Sequence, residues 1–145
     1  MSNVADDINL ALKLADQADA VTLDRFGALD LRIETKPDLT PVTDADQGVE
    51  QALRETLAAA RPDDALLGEE YGGTAVFAGR PWVIDPIDGT VNYFFGIPHF
   101  CVSIAARKRE SKELLIGVIF DPMQNETWTV VRGEKPIQFS FTFKW

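Results

Sequence analysis

The middle of the chain reads Trp82-Val83-Ile84-Asp85-Pro86-Ile87-Asp88-Gly89-Thr90-Val91-Asn92-Tyr93, an apolar run that ends at two carboxylates. Its first three residues have the aromatic and β-branched composition of a short buried strand. The dipeptides Asp85-Pro86 and Asp88-Gly89 follow, and both favour turns. Because proline fixes its own φ and keeps the preceding residue out of the helical region, we expect a stiff bend that holds both carboxylates in place.

This bend has the chemistry of a divalent-cation site. Mg²⁺ takes oxygen ligands in a near-octahedral shell and keeps several waters, so the carboxylates of Asp85 and Asp88 with the carbonyl of Ile87 would suit it. Gly89 lets the backbone approach a ligand closely, and the free N–H groups of a helical turn beginning at Thr90 would face an anion such as phosphate. The same residues are also typical of an ordinary surface turn, since turns prefer Asp, Pro and Gly.

Two further acidic segments lie upstream of the bend, namely Thr40-Pro41-Val42-Thr43-Asp44-Ala45-Asp46 and Gly68-Glu69-Glu70. With the central motif, they resemble the inositol monophosphatase superfamily of Mg²⁺-dependent phosphomonoesterases, and the N-terminal part of the chain is most similar to its histidinol-phosphate phosphatase branch. The resemblance implies an α+β fold, with two N-terminal helices packed on a largely antiparallel sheet. It also implies Mg²⁺ as the cofactor and a small phosphorylated metabolite as the partner, with metal-activated water hydrolysing histidinol phosphate or inositol monophosphate.

The metal ligands that the resemblance implies are Glu69, Asp85, the carbonyl oxygen of Ile87, and Asp88. Asp85 would bridge two ions, and Glu70 would support the ligands from behind; taken alone, Glu70 is also typical of a surface acid. One part of this set follows from the strand pattern itself. Ala65 to Leu67 is a short buried strand that ends just before Glu69, so two strands side by side would bring Glu69 and Asp85 to the same edge of a sheet.

The catalytic roles also come from the resemblance. Asp46 would accept a hydrogen bond from Thr90, Thr90 would hold the attacking water, and Glu69 would act beside them at the metal. The amides of Gly89 and Thr90 would hold the phosphate group. Asp46 has a structural interpretation as well, because a carboxylate in the first turn of a helix is stabilised by the helix dipole.

Composition limits the partners of the chain. Its 145 residues, 46% of them apolar, predict one globular domain over residues 1–145 with its own core. A net charge of −9 argues against nucleic acid and against an anionic membrane surface, since both need Lys and Arg to neutralise phosphates. It leaves a phosphate substrate open, because a bound metal ion inverts the local field. One cysteine, no basic leader and no apolar stretch near about 20 residues predict a protein of the reducing cytoplasm.

The first half of the chain has two helical segments. Apolar residues recur at helical spacing from Asp6 to Phe26, and again from Thr43 or Asp44 to about Ala60. Between them, Leu29 to Glu34 alternates apolar and polar residues, as a half-buried strand would. The loop that follows carries Lys36 and Asp38, which are candidates for the rim of the site and equally typical of an exposed loop.

The second half predicts an antiparallel meander of strands at Phe100–Arg107, Leu114–Asp121 and Glu126–Arg132. The final segment, Ile137–Trp145, alternates throughout and places its apolar residues on one face. They are Ile137, Phe139, Phe141, Phe143 and Trp145. Such a strand either completes the core or forms an edge that pairs with a second copy of the chain, which would make a homo-oligomer.

The resemblance covers the N-terminal half of the family, and we expect the C-terminal family half to be missing. In the family, an aspartate within a Trp-Asp motif of the second half completes the second metal site, whereas none of Trp82, Trp128 and Trp145 here is followed by Asp. We therefore expect a metal-binding half in which the missing ligand can impair hydrolysis. Two alternatives remain open: a catalytically inactive Mg²⁺-binding module, and a structural domain that dimerises through its C-terminal strand.

Overall fold

A seven-stranded sheet forms the centre of the fold in the computed structural model, which describes residues 3–73 and 79–140. The first two strands, β1 (Ile33–Thr35) and β2 (Pro41–Thr43), form a separate hairpin. The strands of the large sheet are β3 (Ala65–Gly68), β4 (Gly72–Gly73), β5 (Pro81–Asp88), β6 (Cys101–Arg107), β7 (Leu114–Asp121), β8 (Glu126–Val131) and β9 (Ile137–Ser140). Neighbouring strands follow the order β4-β3-β5-β6-β7-β8-β9. β3 and β5 run parallel, whereas the other neighbouring pairs are antiparallel.

Two long helices, α1 (Val4–Arg25) and α2 (Asp44–Ala60), pack on this sheet, and a short helix, α3 (Thr90–Phe94), follows β5. The core between them includes Leu10, Ala11, Leu14, Ala15, Ala18, Val49, Leu53 and Leu57 from the helices and Trp82, Ile84, Val102, Ile104, Ala106, Ile116, Val118 and Phe120 from the strands. The predicted arrangement of two helices on a largely antiparallel sheet is confirmed. In the described part of the chain, no helix has the length and the apolar composition needed to cross a membrane.

The two faces of the sheet differ in burial. Side chains alternate along a strand, so Ile104 and Val118 point to the helices and are buried, whereas Ala105 and Ile119 point to the other side. On that side Ile119 is 46% exposed, and a groove of about 300 Å³ is lined by Ala105, Ile119 and Trp128, among others. This second face is therefore the less covered of the two.

Strand β5 runs further than the sequence predicted. We expected it to end before Asp85 and to give way to a turn, but it continues to Asp88. Its register against β6 shifts on the way, since Asp85 lies opposite Ser103 and Asp88 lies opposite Cys101. β5 thus uses one residue more than β6 over this interval, which defines a β-bulge, and a bulge accommodates Pro86 because no ladder N–H is needed there. The predicted stiff bend is a bulge inside a strand.

The predicted strand from Leu29 to Glu34 is wrong over most of its length. The strand is Ile33–Thr35 instead, and Leu29 is fully exposed. β1 pairs with β2 in a sheet of its own, apart from the seven-stranded sheet, and is exposed at each of its positions. Of the alternating apolar residues, Leu31 packs against a core cluster, whereas Leu29 and Ile33 are exposed, so the alternation does not mark one buried face.

The last described strand, β9, lies at the edge of the sheet next to β8. Ile137 is 59% exposed there and Phe139, on the same face, is half-buried, so the described part of this segment is not a fully buried core strand. Phe141, Phe143 and Trp145, which we assigned to the same face, lie outside the described residues. Pairing of this strand with a second copy of the chain stays a prediction.

Buried charges tie the other end of the sheet to α1. Asp7, in the first turn of α1, is fully buried and forms ion pairs with Arg61 and Arg80. Asp64 accepts hydrogen bonds from the Trp82 indole N–H and from the Arg80 amide, each at 2.9 Å. These contacts lie where β3 and β5 begin. Glu69 and Asp85 lie toward the opposite end of the two strands.

Replacing Asp64 by Ala should lower the free energy of unfolding by about 1–3 kcal/mol, because the buried indole N–H of Trp82 loses its acceptor. Chemical denaturation followed by tryptophan fluorescence measures the change. Asp63→Ala is the control, since Asp63 is exposed and its replacement should cost less than about 0.5 kcal/mol. Equal losses in the two variants would contradict this account of Asp64.

Candidate metal centre

Two parallel strands bring acidic residues together at one edge of the sheet. In the β3–β5 pair, Gly68 lies opposite Ile84, so Glu69, the first residue after β3, comes beside Asp85 of β5. The Glu69 amide donates to the Ile84 carbonyl at 3.3 Å, and the carboxyl groups of Glu69 and Asp85 lie within hydrogen-bond reach of each other. The structure thus places together the two residues that the strand pattern predicted at one edge.

The carboxyl groups at this edge are crowded. Burial raises the pKa of Asp85 well above its usual range, and the hydrogen bond with Glu69 and the charges of neighbouring carboxylates raise it further. Burial, followed by the charge of Asp46, raises the pKa of Glu70 to about 7. Asp85 Oδ1 is buried and receives no hydrogen bond from any described N–H or O–H group. A cation would supply both the missing partner and the missing positive charge, so these residues fit a divalent metal.

The ligand set is a pair of carboxylates rather than a complete cage. Across residues 3–73 and 79–140, no group of three or more His, Cys, Asp or Glu side chains has the geometry to hold a metal ion. Glu69 and Asp85 form the pair. The other two predicted ligands, Ile87 and Asp88, follow on the bulge, where Asp88 is exposed and lies 3.9 Å from the Cys101 thiol. Because Mg²⁺ is usually held by one or two carboxylates and keeps waters, the pair is enough for a site.

Asp46 joins the start of α2 to the start of α3. One of its oxygens, Oδ2, accepts hydrogen bonds from the Thr43 amide at 2.8 Å and from the Thr43 hydroxyl at 2.5 Å. Thr43 and Asp46 thereby form the capping box at the start of α2. The other, Oδ1, lies 3.0 Å from the Thr90 hydroxyl, which is also 3.1 Å from the Ile87 carbonyl. Asp46 therefore combines the capping role with the expected contact to Thr90. The part of Thr90 in holding water stays a prediction.

Gly89 makes the turn from β5 into α3. Its φ is +100°, which disfavours a side chain, and a Cβ there would lie 3.2 Å from the His99 carbonyl oxygen. The first N–H groups of a helix have no partner within the helix, so the amides of Gly89 and Thr90 are suited to face an anion. That they hold phosphate stays a prediction.

The β1–β2 hairpin brings a positive charge to the site. Lys36 Nζ lies 3.2 Å from Glu69 Oε1 and 3.6 Å from Glu70 Oε2. The Glu70 side chain is 3% exposed, so its interpretation as a surface acid is wrong. Asp38, the other candidate for the rim, instead accepts hydrogen bonds from the amide and the hydroxyl of Thr40 within its own loop.

One buried acid next to the site, Glu50, was not among the predicted residues. It is fully buried, and it accepts hydrogen bonds from the amides of Glu70 and Tyr71 at 2.7 and 3.0 Å. The helical pattern contained a signal, because the inward stripe of α2 consists of Asp46, Val49, Glu50, Leu53 and Leu57. A glutamate on such a stripe needs a buried partner, since burying an unpaired charge is costly.

The sequence matches the model of the inositol monophosphatase family over residues 3–144. It is 53% identical over 128 residues to the histidinol-phosphatase of Mycobacterium tuberculosis, covering 88% of this chain and 48% of that protein. It is 38% identical over 129 residues to Nus factor SuhB of Pasteurella multocida, again covering 88% and 48%. The solved IMPase of Thermotoga maritima matches with a TM-score of 0.81 at 28% identity, covering 92% of this chain and 51% of that one. The chain therefore spans about half the length of these relatives.

The crowding at Asp85 predicts a stability that falls as pH rises. The folded-state pKa of Asp85 is raised above that of the unfolded chain, so the folded protein binds more protons from roughly pH 4 up to the raised value. The metal-free protein should therefore lose stability over this range. Asp85→Asn should recover about 1 kcal/mol at pH 8, or about 3 °C in Tm, after allowance for the partial exposure of the carboxyl group. Thermal denaturation with chelator at pH 5 and pH 8 measures both effects.

The matched control for this change is Asp24→Asn. Asp24 is exposed on α1, so its replacement should leave Tm unchanged at both pH values. In addition, Asp85→Asn should weaken the binding of Mg²⁺ measured by calorimetry, because it removes a charged oxygen ligand. If Asp85→Asn gains no stability at pH 8, the crowding inferred at Asp85 is wrong.

Proposed function

Because the chain belongs to the inositol monophosphatase family, we propose that it forms the metal-binding part of a Mg²⁺-dependent phosphate monoester hydrolase. The observation that carries this proposal is the pairing of Glu69 and Asp85 on parallel strands, with a raised pKa at Asp85. Crowding the partly buried Asp85 carboxyl group against Glu69 costs stability when no cation is present, so metal binding explains this arrangement better than folding does.

In this proposal Glu69, Asp85 and the Ile87 carbonyl would hold one Mg²⁺ ion, and Asp88 would serve a second ion beside Asp85. The bound ion would lower the pKa of a water molecule and stabilise charge on the phosphate oxygens. Asp46 accepts a hydrogen bond from the Thr90 hydroxyl, which leaves lone pairs on the Thr90 oxygen to accept a hydrogen bond from the attacking water. The Gly89 and Thr90 amides donate to the phosphate group and orient it.

Direct attack by water fits this site better than a covalent intermediate. The single thiol of the sequence, that of Cys101, lies 3.9 Å from Asp88. Burial, followed by the charge of Asp88, raises the pKa of Cys101 to about 11, so the thiol stays protonated at neutral pH. A protonated thiol is a poor nucleophile, because the thiolate is the reactive form.

For the substrate we propose histidinol phosphate first and inositol monophosphate second. The name of the 53% identical relative supports the first compound, and the family supports the second. The 38% identical relative is called a Nus factor, so relatives of similar coverage carry different names. The choice of substrate therefore requires a direct measurement.

Phosphate release tests the proposed activity. The protein should release inorganic phosphate from histidinol phosphate in the presence of Mg²⁺, and it should lose this activity with chelator. Thr90→Ala should lower kcat by about 10²–10⁴-fold with a smaller effect on KM, because it removes the group that positions the attacking water. Thr90→Ser keeps the hydroxyl group and is the matched control, so equal losses in the two variants would contradict the role of Thr90.

A second candidate function is Mg²⁺ binding without turnover. It is favoured by the ligand set, since no group of three or more His, Cys, Asp or Glu side chains in residues 3–73 and 79–140 has the geometry to hold a metal ion. Calorimetry beside the phosphate assay separates the two functions. Mg²⁺ binding that depends on Asp85, without phosphate release, supports the binding module, whereas the absence of Mg²⁺ binding contradicts both.

We also propose that β9 pairs with a second copy of the chain. It lies at the edge of the sheet, and Ile137 exposes an apolar side chain there. Ile137→Lys should reduce the molecular mass measured by sedimentation from that of a dimer to that of a monomer, because a charge at an edge opposes strand pairing. Asn9→Lys adds the same charge at an exposed position of α1 and is the control. A monomeric unsubstituted protein would refute the pairing.

A further inference from the structure

A fully buried carboxylate lies beneath the turn that carries Glu69. This carboxylate belongs to Glu50 of α2, and the turn consists of Glu69, Glu70 and Tyr71 between β3 and β4. Burying a charged group is unfavourable unless hydrogen bonds and opposite charge compensate it. The partners of Glu50 therefore indicate what the residue does.

Those partners are consecutive backbone groups of the turn and one arginine. Glu50 Oε2 accepts the Glu70 amide at 2.7 Å, and Oε1 accepts the Tyr71 amide at 3.0 Å. Arg54, one helical turn further along α2, donates to Oε1 through Nε at 3.1 Å and Nη2 at 2.7 Å. Arg54 also donates to the Gly72 carbonyl at 2.5 Å and lies 5.9 Å from the centre of the Tyr71 ring. Glu50 and Arg54 together, the Glu50 clamp, thus hold three successive residues.

The strand that precedes the turn is shaped to fit this clamp. A Cβ atom at Gly68 would lie 1.9 Å from Glu50 Oε1 and 2.2 Å from its carboxyl carbon, far inside any allowed contact. The carboxylate therefore occupies the space that a side chain at position 68 would need. Since Gly68 immediately precedes Glu69, the clamp contacts the backbone on both sides of the proposed metal ligand.

Besides the clamp, the contacts that fix the turn are the ion pairs of Lys36 with Glu69 and Glu70 and the hydrogen bond from the Glu69 amide to the Ile84 carbonyl. Glu69 and Tyr71 of the turn are exposed, so burial of apolar surface contributes little to its order. Burial first, and then the charges of nearby carboxylates, raise the pKa of Glu70, so its side chain is in an unfavourable place for a negative charge. Hydrogen bonds to the backbone hold the turn without depending on the side chains that meet the metal.

We propose that Glu50 is a positioning residue for the metal site: through the Glu70 and Tyr71 amides it keeps Glu69 beside Asp85. The inference rests on the proposed function in that Glu69 is a metal ligand. Groups that orient metal ligands typically contribute about 10–100-fold to metal affinity. Glu50 does not touch the metal or the substrate, so it acts through the turn alone.

Glu50→Leu tests the proposal, because leucine keeps most of the volume but accepts no hydrogen bond. We expect Mg²⁺ affinity, measured by calorimetry, to fall by about 10-fold or more. We also expect the Glu70 and Tyr71 amides to exchange with deuterium faster in the metal-free protein. Asp64→Ala is the matched control, since it breaks buried hydrogen bonds at the opposite end of the strands and should leave Mg²⁺ affinity unchanged.

Two further variants keep the test open if Glu50→Leu does not fold. Glu50→Gln retains an acceptor and should show a smaller loss of affinity than Glu50→Leu. Gly68→Ala should reproduce the loss, because it displaces the carboxylate without changing its chemistry. A Gly68→Ala protein with unchanged Mg²⁺ affinity and unchanged exchange at Glu70 and Tyr71 would overturn the proposal.

The readouts separate failure of this proposal from failure of the proposed function. If the unsubstituted protein binds no Mg²⁺, the proposed function is wrong, and amide exchange still decides whether Glu50 holds the turn. If Mg²⁺ binds with the same affinity to the unsubstituted protein and to the folded Glu50 variants, the metal site stands and the positioning role of Glu50 is refuted.

Discussion

The parallel pairing of β3 with β5 is the constraint on which the acidic site depends. In an antiparallel pair, one strand ends where its neighbour begins, so the residues that follow the two strands leave at opposite edges of the sheet. β3 and β5 run in the same direction, and Glu69, just after β3, therefore lies beside Asp85 of β5. The bulge in β5 then directs the chain into α3, where Thr90 meets Asp46. One strand direction thus brings together residues from separate parts of the chain.

Gathering these acids is unfavourable, and the surroundings compensate it from several directions. Lys36 approaches Glu69 and Glu70 from the β1–β2 hairpin. The Thr43 amide and hydroxyl hold Asp46 at the start of α2. None of these described donors reaches Asp85 Oδ1, which stays buried without a partner. These groups therefore neutralise the periphery of the cluster, whereas the proposed cation would neutralise its centre.

The helices, the meander and the meeting of Glu69 with Asp85 could be predicted, because each follows from a local pattern of apolar residues or strand ends. The alternating pattern from Leu29 to Glu34 predicted the strand in the wrong place, since such a pattern does not indicate which sheet a strand joins. The bulge at Pro86 depends on how many residues β6 uses opposite it, which no local motif records. Glu50 was missed because its partners are backbone amides about twenty positions away, and an amide has no sequence signature.

Helix α2 carries Asp46 and Glu50 four positions apart, and each reaches a different strand end. Asp46 contacts Thr90 after β5, and Glu50 holds the turn after β3. An α-helix rotates by about 100° per residue, so two side chains four positions apart lie on the same face of the helix. Both contacts depend on this alignment. Inserting or deleting one residue between them would swing one acid away from its partner, whereas changes on the solvent side would not. The pitch of one helical turn therefore sets the spacing between the two contacts. Between Asp46 and Glu50, insertions and deletions should be tolerated less well than substitutions of solvent-facing residues.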